Sequence, residues 1–188
     1  MNLYHYYEKR RGPFLTLSDL PDALAEETQN LLKENDNVYF RRDHDGKYMF
    51  NRRIVERKLR LAFFEKGGNP RRQTPIYCIL GESHDRNHAS YKEWFSCPQY
   101  IEIPMNAIDV DAVSFTYGDS FIENHPEHRD QSKYLERVLT YNEILDRIEK
   151  QGWPQDIITD ESPFWMPRYI EAQVWSDEVV NMNLSILK

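Results

Sequence analysis

Glu171 is the residue in this chain best placed to do chemistry. It lies in Arg168-Tyr169-Ile170-Glu171-Ala172-Gln173-Val174-Trp175, where a period of two sets it on one face with Tyr169, Gln173 and Trp175. A carboxylate walled by aromatic rings can hold a raised pKa and orient a hydroxyl. The plainer alternative is the exposed polar face of an edge strand. A second group is basic. Arg53, Arg57 and Arg60 recur at i, i+4 and i+7, and Arg71 and Arg72 follow in the loop Lys66-Gly67-Gly68-Asn69-Pro70-Arg71-Arg72. Arginine forks match phosphate oxygens, and glycines let a backbone approach an anion closely. A solvated helix face accounts for the same pattern.

Other residues carry weaker signals. His5 sits between Tyr4 and Tyr6, a setting that suits a hydrogen-bonded structural histidine as well as a catalyst. Ser114-Phe115-Thr116-Tyr117-Gly118-Asp119-Ser120-Phe121 is the densest run of hydroxyls. It reads as a ligand-lining strand and turn, or as a strand closed by a type I′ or II′ turn at Gly118-Asp119. His84-x-x-x-His88, with Asp85, and His125-x-x-His128 have spacings open to a metal. No HExxH or paired-cysteine pattern accompanies them, so no metal site is expected. Neither phosphate-loop fingerprint and no G-x-S-x-G elbow occurs.

Periodicity supplies the framework that holds these groups. Leu3–Tyr7 reads as a strand, and Gly12-Pro13 as a turn. A helix is expected from Ser18 or Asp19 as cap to about Asn35, with Leu20, Leu24, Leu31 and Leu32 as its apolar stripe. Val38–Phe40 reads as a short strand and Asp43–Gly46 as a turn. A second helix spans Lys47 to about Lys66, with Tyr48, Val55, Leu59, Ala62 and Phe63 inward and a Gly67-Gly68 stop. Strands are expected at Ile76–Leu80, Gln99–Met105, Ala112–Tyr117, Arg168–Trp175 and Met182–Leu187. Ile122–Gln131 reads as a loop, and Tyr134–Leu139 as strand or helix. Thr140-Tyr141-Asn142-Glu143 is a capping box opening a helix that ends at Gly152. The elements do not alternate as regular βαβ units. The expected architecture is one α+β domain over residues 1–188, a mainly antiparallel sheet with about three helices.

The 188 residues suit one self-sufficient domain. Cys78 and Cys97 form no disulfide framework, which points to a reducing, cytoplasmic setting, with Cys78 as inert core. Neither a signal-peptide pattern nor a membrane-length apolar run is visible. Net charge is −7, yet Arg41 to Arg72 hold eleven basic residues and four acids, a net +7 against −14 elsewhere. That imbalance argues against nonspecific coating of nucleic acid and leaves a local patch for a phosphate-bearing ligand.

The segments Tyr4-His5-Tyr6-Tyr7-Glu8, Gly12-Pro13-Phe14 with Leu17-Ser18-Asp19-Leu20, Glu65-Lys66-Gly67-Gly68-Asn69-Pro70, Pro75-Ile76-Tyr77 with Leu80-Gly81-Glu82, Ser114-Phe115-Thr116-Tyr117-Gly118-Asp119 and Arg168 to Trp175 resemble a family of uncharacterised bacterial proteins. That resemblance spans nearly the whole chain and implies no activity. A remoter one is to ADP-ribosyltransferase-like domains. It implies NAD as substrate, His5 holding the nicotinamide-side ribose and Glu171 polarising a ribose hydroxyl. Tyr48 or Tyr117 would be the middle residue, and Arg52 or Arg53 a pyrophosphate contact. Three functions stand as expectations: such an enzyme, with Tyr169 and Gln173 beside Glu171; a noncatalytic binder of nucleotide or nucleic acid through Arg53, Arg57, Arg60 and Arg71; and a protein–protein module using the acidic remainder and the tyrosines.

Overall fold

The computed structural model describes residues 1–34, 46–81, 95, 97–121, 134–159, 161–162 and 166–186. The expected strand at Val38–Phe40, most of the turn at Asp43–Gly46, the loop at Ile122–Gln131, and His84, Asp85, His88, His125 and His128 lie outside these residues.

Among the described residues, five strands form one antiparallel sheet: β1 (Asn2–Glu8), β2 (Ile76–Leu80), β3 (Pro98–Pro104), β4 (Val113–Tyr117) and β5 (Ile170–Val174). Their order is β3-β1-β2-β5-β4. Each pairing joins segments far apart in sequence, so the sheet is built by tertiary contacts and not by tight hairpins. Four helices exceed two turns among the described residues: α1 (Asp22–Glu34), α2 (Tyr48–Glu65), α4 (Tyr141–Gln151) and α6 (Glu178–Ile186). Single turns α3 (Tyr134–Arg137) and α5 (Pro154–Ile157) complete the helical part of an α+β domain.

The two sheet faces differ in chemistry. Leu3, Ile76, Cys78, Leu80, Ile103, Phe115, Ile170, Ala172 and Val174 form one apolar face, on which Ile144 of α4 and Val179 of α6 pack. The opposite face lies under α2, where Val55, Leu59, Ala62 and Phe63 meet Trp175 and Val138. Beside that small apolar patch the second face is polar, presenting Tyr77, Ser114, Thr116, Glu171 and Gln173.

Local rules account for several boundaries. Thr140 accepts the Glu143 N–H while the Glu143 carboxylate takes the Thr140 N–H, a complete capping box opening α4. At the end of α2 the Gly68 N–H reaches the Phe63 carbonyl at 3.0 Å and the Gly67 N–H that of Phe64 at 2.9 Å. That is a Schellman stop, with Gly67 at φ 88°.

Three expectations are corrected. The segment from Met182 continues helix α6 and is not a strand: β5 already has β2 and β4 on its two edges, and the chain leaves the sheet after Trp175. Ser18 and Asp19 do not cap α1; Thr16 caps a 3-10 turn at Leu17–Asp19, and α1 begins only at Asp22. In α1, Leu24 and Leu31 are exposed while Ala25 and Gln29 are buried, because the helix turns its Ala25–Gln29 side, not the leucine stripe, to the domain.

Candidate functional site

The polar face beneath α2 is a continuous buried hydrogen-bond system. Trp175 Nε1 donates to Ser114 Oγ at 2.8 Å, and Ser114 Oγ donates to Gln173 Oε1 at 2.7 Å. Gln173 Nε2 then donates to Thr116 Oγ1 at 3.1 Å and to Glu171 Oε1 at 2.8 Å. Interstrand register places these groups: Glu171 pairs with Thr116 on one side and Ile79 on the other, and Gln173 with Ser114 and Tyr77. Paired residues project to the same face.

Helix α2 closes this layer with Tyr48, Arg52 and Glu56, one turn apart on a single line. Glu56 Oε1 accepts from Ser18 Oγ at 2.8 Å, Arg52 Nε at 3.1 Å and Tyr77 Oη at 3.1 Å. Its other oxygen, Oε2, is buried without a partner among the described residues. The Arg52 guanidinium donates to Tyr48 Oη at 2.7 Å and lies 4.3 Å from the Tyr77 ring centre. Asp119, just past β4, accepts from Tyr169 Oη at 3.1 Å and from the Phe121 N–H at 2.8 Å.

Burial sets the protonation of this cluster. Desolvation, then the neighbouring Asp119 carboxylate, raises the Glu171 pKa to about 8, against the opposing pull of Ser120, Gln173 and Arg52. Desolvation and the Glu56 charge also hold the Tyr77 hydroxyl firmly protonated. Arg52 therefore stands among the carboxyl groups of Glu56, Asp119 and Glu171, and Glu171 keeps its proton near neutrality.

Four of the expected site residues gather here around Glu171: Tyr48, Arg52, Tyr169 and Gln173. His5 does not join them. Alternation along β1 and the register with β3 put it on the apolar face, opposite Ile101. Its ring is stacked on Phe14 at 4.7 Å between centres, Nδ1 donates to the Tyr77 carbonyl at 2.9 Å, and Nε2 accepts the Phe14 N–H at 2.8 Å. Phe14 has a φ of 63°, so this bond holds a bulky residue in the left-handed region. Burial lowers the His5 pKa to about 4. Tyr117 also lies on the apolar face, with its hydroxyl donating to the Gly152 carbonyl at 2.8 Å.

The basic residues are largely engaged with the domain itself. Arg53 bonds the Leu20 carbonyl and pairs with Asp22. Arg60 holds the carbonyls of Pro70 and Arg72, and Arg71 pairs with Asp109 and Glu178. Arg72 bridges Asp19 and Asp177. Arg57 is exposed. Gly118-Asp119 is not a hairpin turn, since β4 pairs with β5 and the chain passes from Asp119 into a helical step. No group of three metal-ligating residues occurs among the described residues.

Sequence reasoning missed Glu56, Tyr77 and Ser18. Glu56 had a signal: at i+4 from Arg52 and i+8 from Tyr48, it falls within the inward arc of α2, where a charge requires partners. Ser114 and Thr116 belong to the hydroxyl-rich run already singled out. In comparison with known proteins, no family model, no curated protein and no solved structure matches the chain.

Proposed function

We propose that the polar layer between α2 and β5 is the active site of an ADP-ribosyltransferase-like enzyme that uses NAD. The observation that carries this reading is Glu171: a buried carboxyl on an interior strand, on the same face as Arg52, Tyr48 and Tyr77. The resemblance to transferase-like domains asks for a first-strand histidine, a strand-borne glutamate, a tyrosine and a pyrophosphate-binding arginine; Glu171, Tyr48 and Arg52 share the polar layer, whereas His5 lies across the sheet and takes no part in the proposed site.

The chemistry follows from charge. NAD brings a cationic nicotinamide ring, and a nearby positive charge favours ionised Glu171, with its proton released to solvent, over the protonated form that burial favours. The ionised carboxylate accepts a hydrogen bond from a ribose hydroxyl. As the C1′–N bond breaks, its electron pair leaves with neutral nicotinamide and the positive charge passes to the ribose. Glu171 stabilises that charge in a desolvated setting, where it counts most. The acceptor then adds to C1′ and releases its proton to solvent. Arg52 faces the pyrophosphate, held in place by Glu56 and the Tyr48 hydroxyl.

The test is nicotinamide release from NAD with the wild-type chain and with Glu171→Gln. Release is expected to fall by about 100-fold or more in the variant, with its thermal stability retained. No NAD binding at millimolar concentration, or equal release by Glu171→Gln, overturns the proposal. Nucleotide binding without turnover that depends on Arg57 and survives Glu171→Gln would favour a noncatalytic phosphate-ligand binder.

A further inference from the structure

The sheet face that carries Glu171 also carries a cluster of aromatic rings toward its β3 edge. Tyr4 and Tyr6 of β1 and Tyr100 of β3 share that face, because Tyr4 stands opposite Ile79, Ile79 opposite Glu171, and Tyr6 opposite Tyr100. The Tyr4 and Tyr6 rings lie 6.5 Å apart between centres and 23° from parallel. Tyr100 leans on both, 5.9 Å from Tyr4 and 5.8 Å from Tyr6. It is 59% exposed on the edge strand, whereas Tyr4 and Tyr6 are half-buried. A ring braced by two others and still open to solvent is a stacking surface fixed at little entropic cost.

Charge identifies what stacks there. Lys9, Arg10 and Arg11 follow β1 directly and are exposed. Arg53, Arg60, Arg71 and Arg72 are bonded to the domain, but the side chains of these three carry no hydrogen bond or ion pair among the described residues. Backbone bonds hold their turn against the sheet: the Lys9 N–H reaches the Cys97 carbonyl at 2.9 Å and the Arg11 N–H that of Glu8 at 3.0 Å. At about 3.3 Å per residue, Lys9 begins roughly 10 Å from Tyr6. Two carboxylates on this face are already committed. Glu8 accepts the Cys97 N–H at 2.9 Å, and Glu102 accepts from the Asn2 side-chain amide. Glu102 stands opposite Tyr4, at the end away from the cations.

We infer that Tyr6 and Tyr100 stack bases of a single-stranded nucleic acid whose phosphates meet Lys9, Arg10 and Arg11. Stacking of this kind needs unpaired bases, so a duplex does not fit. A contact of about two or three nucleotides is local, which suits a chain of net charge −7. The site uses none of the residues around Glu171 and stands whether or not that carboxyl acts on NAD.

Fluorescence anisotropy with the full chain and labelled single-stranded RNA and DNA of about ten nucleotides tests it. Binding to one or both is expected, weakening as salt is added. Tyr100→Ala is expected to raise Kd about tenfold or more, and Tyr100→Trp to keep it, because any base stacks on either ring. Replacing Arg10 and Arg11 together by alanine should raise Kd and lower the slope of log K against log salt by about 1.4, the share of two phosphates. All three sites are exposed, so a wild-type circular dichroism spectrum is expected for each variant. The same strand annealed to its complement should bind more weakly. No binding at about 0.1 mM protein, salt-dependent binding unchanged by Tyr100→Ala, or equal affinity for the duplex overturns the inference. Binding of a neutral oligosaccharide such as maltohexaose that is lost in Tyr100→Ala, with no binding of RNA or DNA, also overturns it and assigns the rings to sugar stacking.

Discussion

Glu171 and His5 are both buried ionisable residues kept neutral near physiological pH, and their surroundings give them different tasks. His5 has both ring nitrogens committed to backbone groups of distant segments, the Tyr77 carbonyl and the Phe14 N–H. Protonating Nε2 would remove the acceptor that fixes Phe14 in its left-handed conformation. Glu171 accepts from the Gln173 amide and faces Asp119 and Arg52 across the polar layer. His5 is therefore a structural pin, and Glu171 a neutral carboxyl held within the polar layer. His5→Ala is expected to lower unfolding free energy by about 2–4 kcal/mol, since two buried backbone groups lose their partners. Urea titration measures that loss. Nicotinamide release per folded molecule should be unchanged, and its loss in a folded variant would return His5 to the site.

Among the secondary-structure elements, α2 organises the molecule. Its inward line carries Tyr48, Arg52 and Glu56 into the polar layer and then Leu59 and Phe63 into the apolar patch, so one helix both packs and supplies polar groups. Its position depends on the Schellman stop. A Cβ on Gly68 would stand 2.5 Å from the ring of Phe63, which is buried and has little room to turn. Gly68→Ala is therefore expected to destabilise the domain by about 1–3 kcal/mol, read as a lower thermal midpoint. The same substitution should loosen the Arg60 bonds to Pro70 and Arg72, because the displaced turn carries those carbonyls.

For the domain taken together, the apolar and polar faces of the sheet make opposite demands on pH. His5 takes up its proton near pH 6.5 when unfolded and near 4 in the fold, so its contribution is present above 6.5 and lost as pH falls toward 4. Glu171 loses its proton near pH 4.5 when unfolded and near 8 in the fold, so its contribution is present below 4.5 and lost as pH rises toward 8. The two opposing slopes cancel between about pH 4.5 and 6.5. Denaturant titrations are expected to show a stability plateau there and a fall toward pH 8. Glu171→Gln should abolish the alkaline fall and turn the plateau into a rise with pH, because the His5 slope is then unopposed. A fall that persists in the variant would mean that another group governs it. No helix among the described residues is long and apolar enough to cross a membrane.

Much of the fold was legible from local rules. The α2 period, the capping box at Thr140, the glycine stop at Gly67-Gly68 and the strand at Ile76–Leu80 depend on residues within a few positions of one another. The α+β class, with a largely antiparallel sheet, follows from the order of such segments. Glu171, Gln173 and Tyr169 were recognisable as sharing a face, because alternation along one strand is itself local. What local rules leave open is which strand faces coincide. His5 and Glu171 each have a definite face on their own strands. Only the chain of registers from β1 through β2 to β5, with Tyr4 opposite Ile79 and Ile79 opposite Glu171, puts them on opposite sides of the sheet. That register is set by long-range packing of buried side chains, and shifting one strand by a single residue would reverse it. The elements and the chemical character of their faces thus follow from neighbours along the chain. That Glu171 meets Arg52 and Tyr48, while His5 and Tyr117 meet the core, follows only from strands paired across more than fifty residues of intervening sequence.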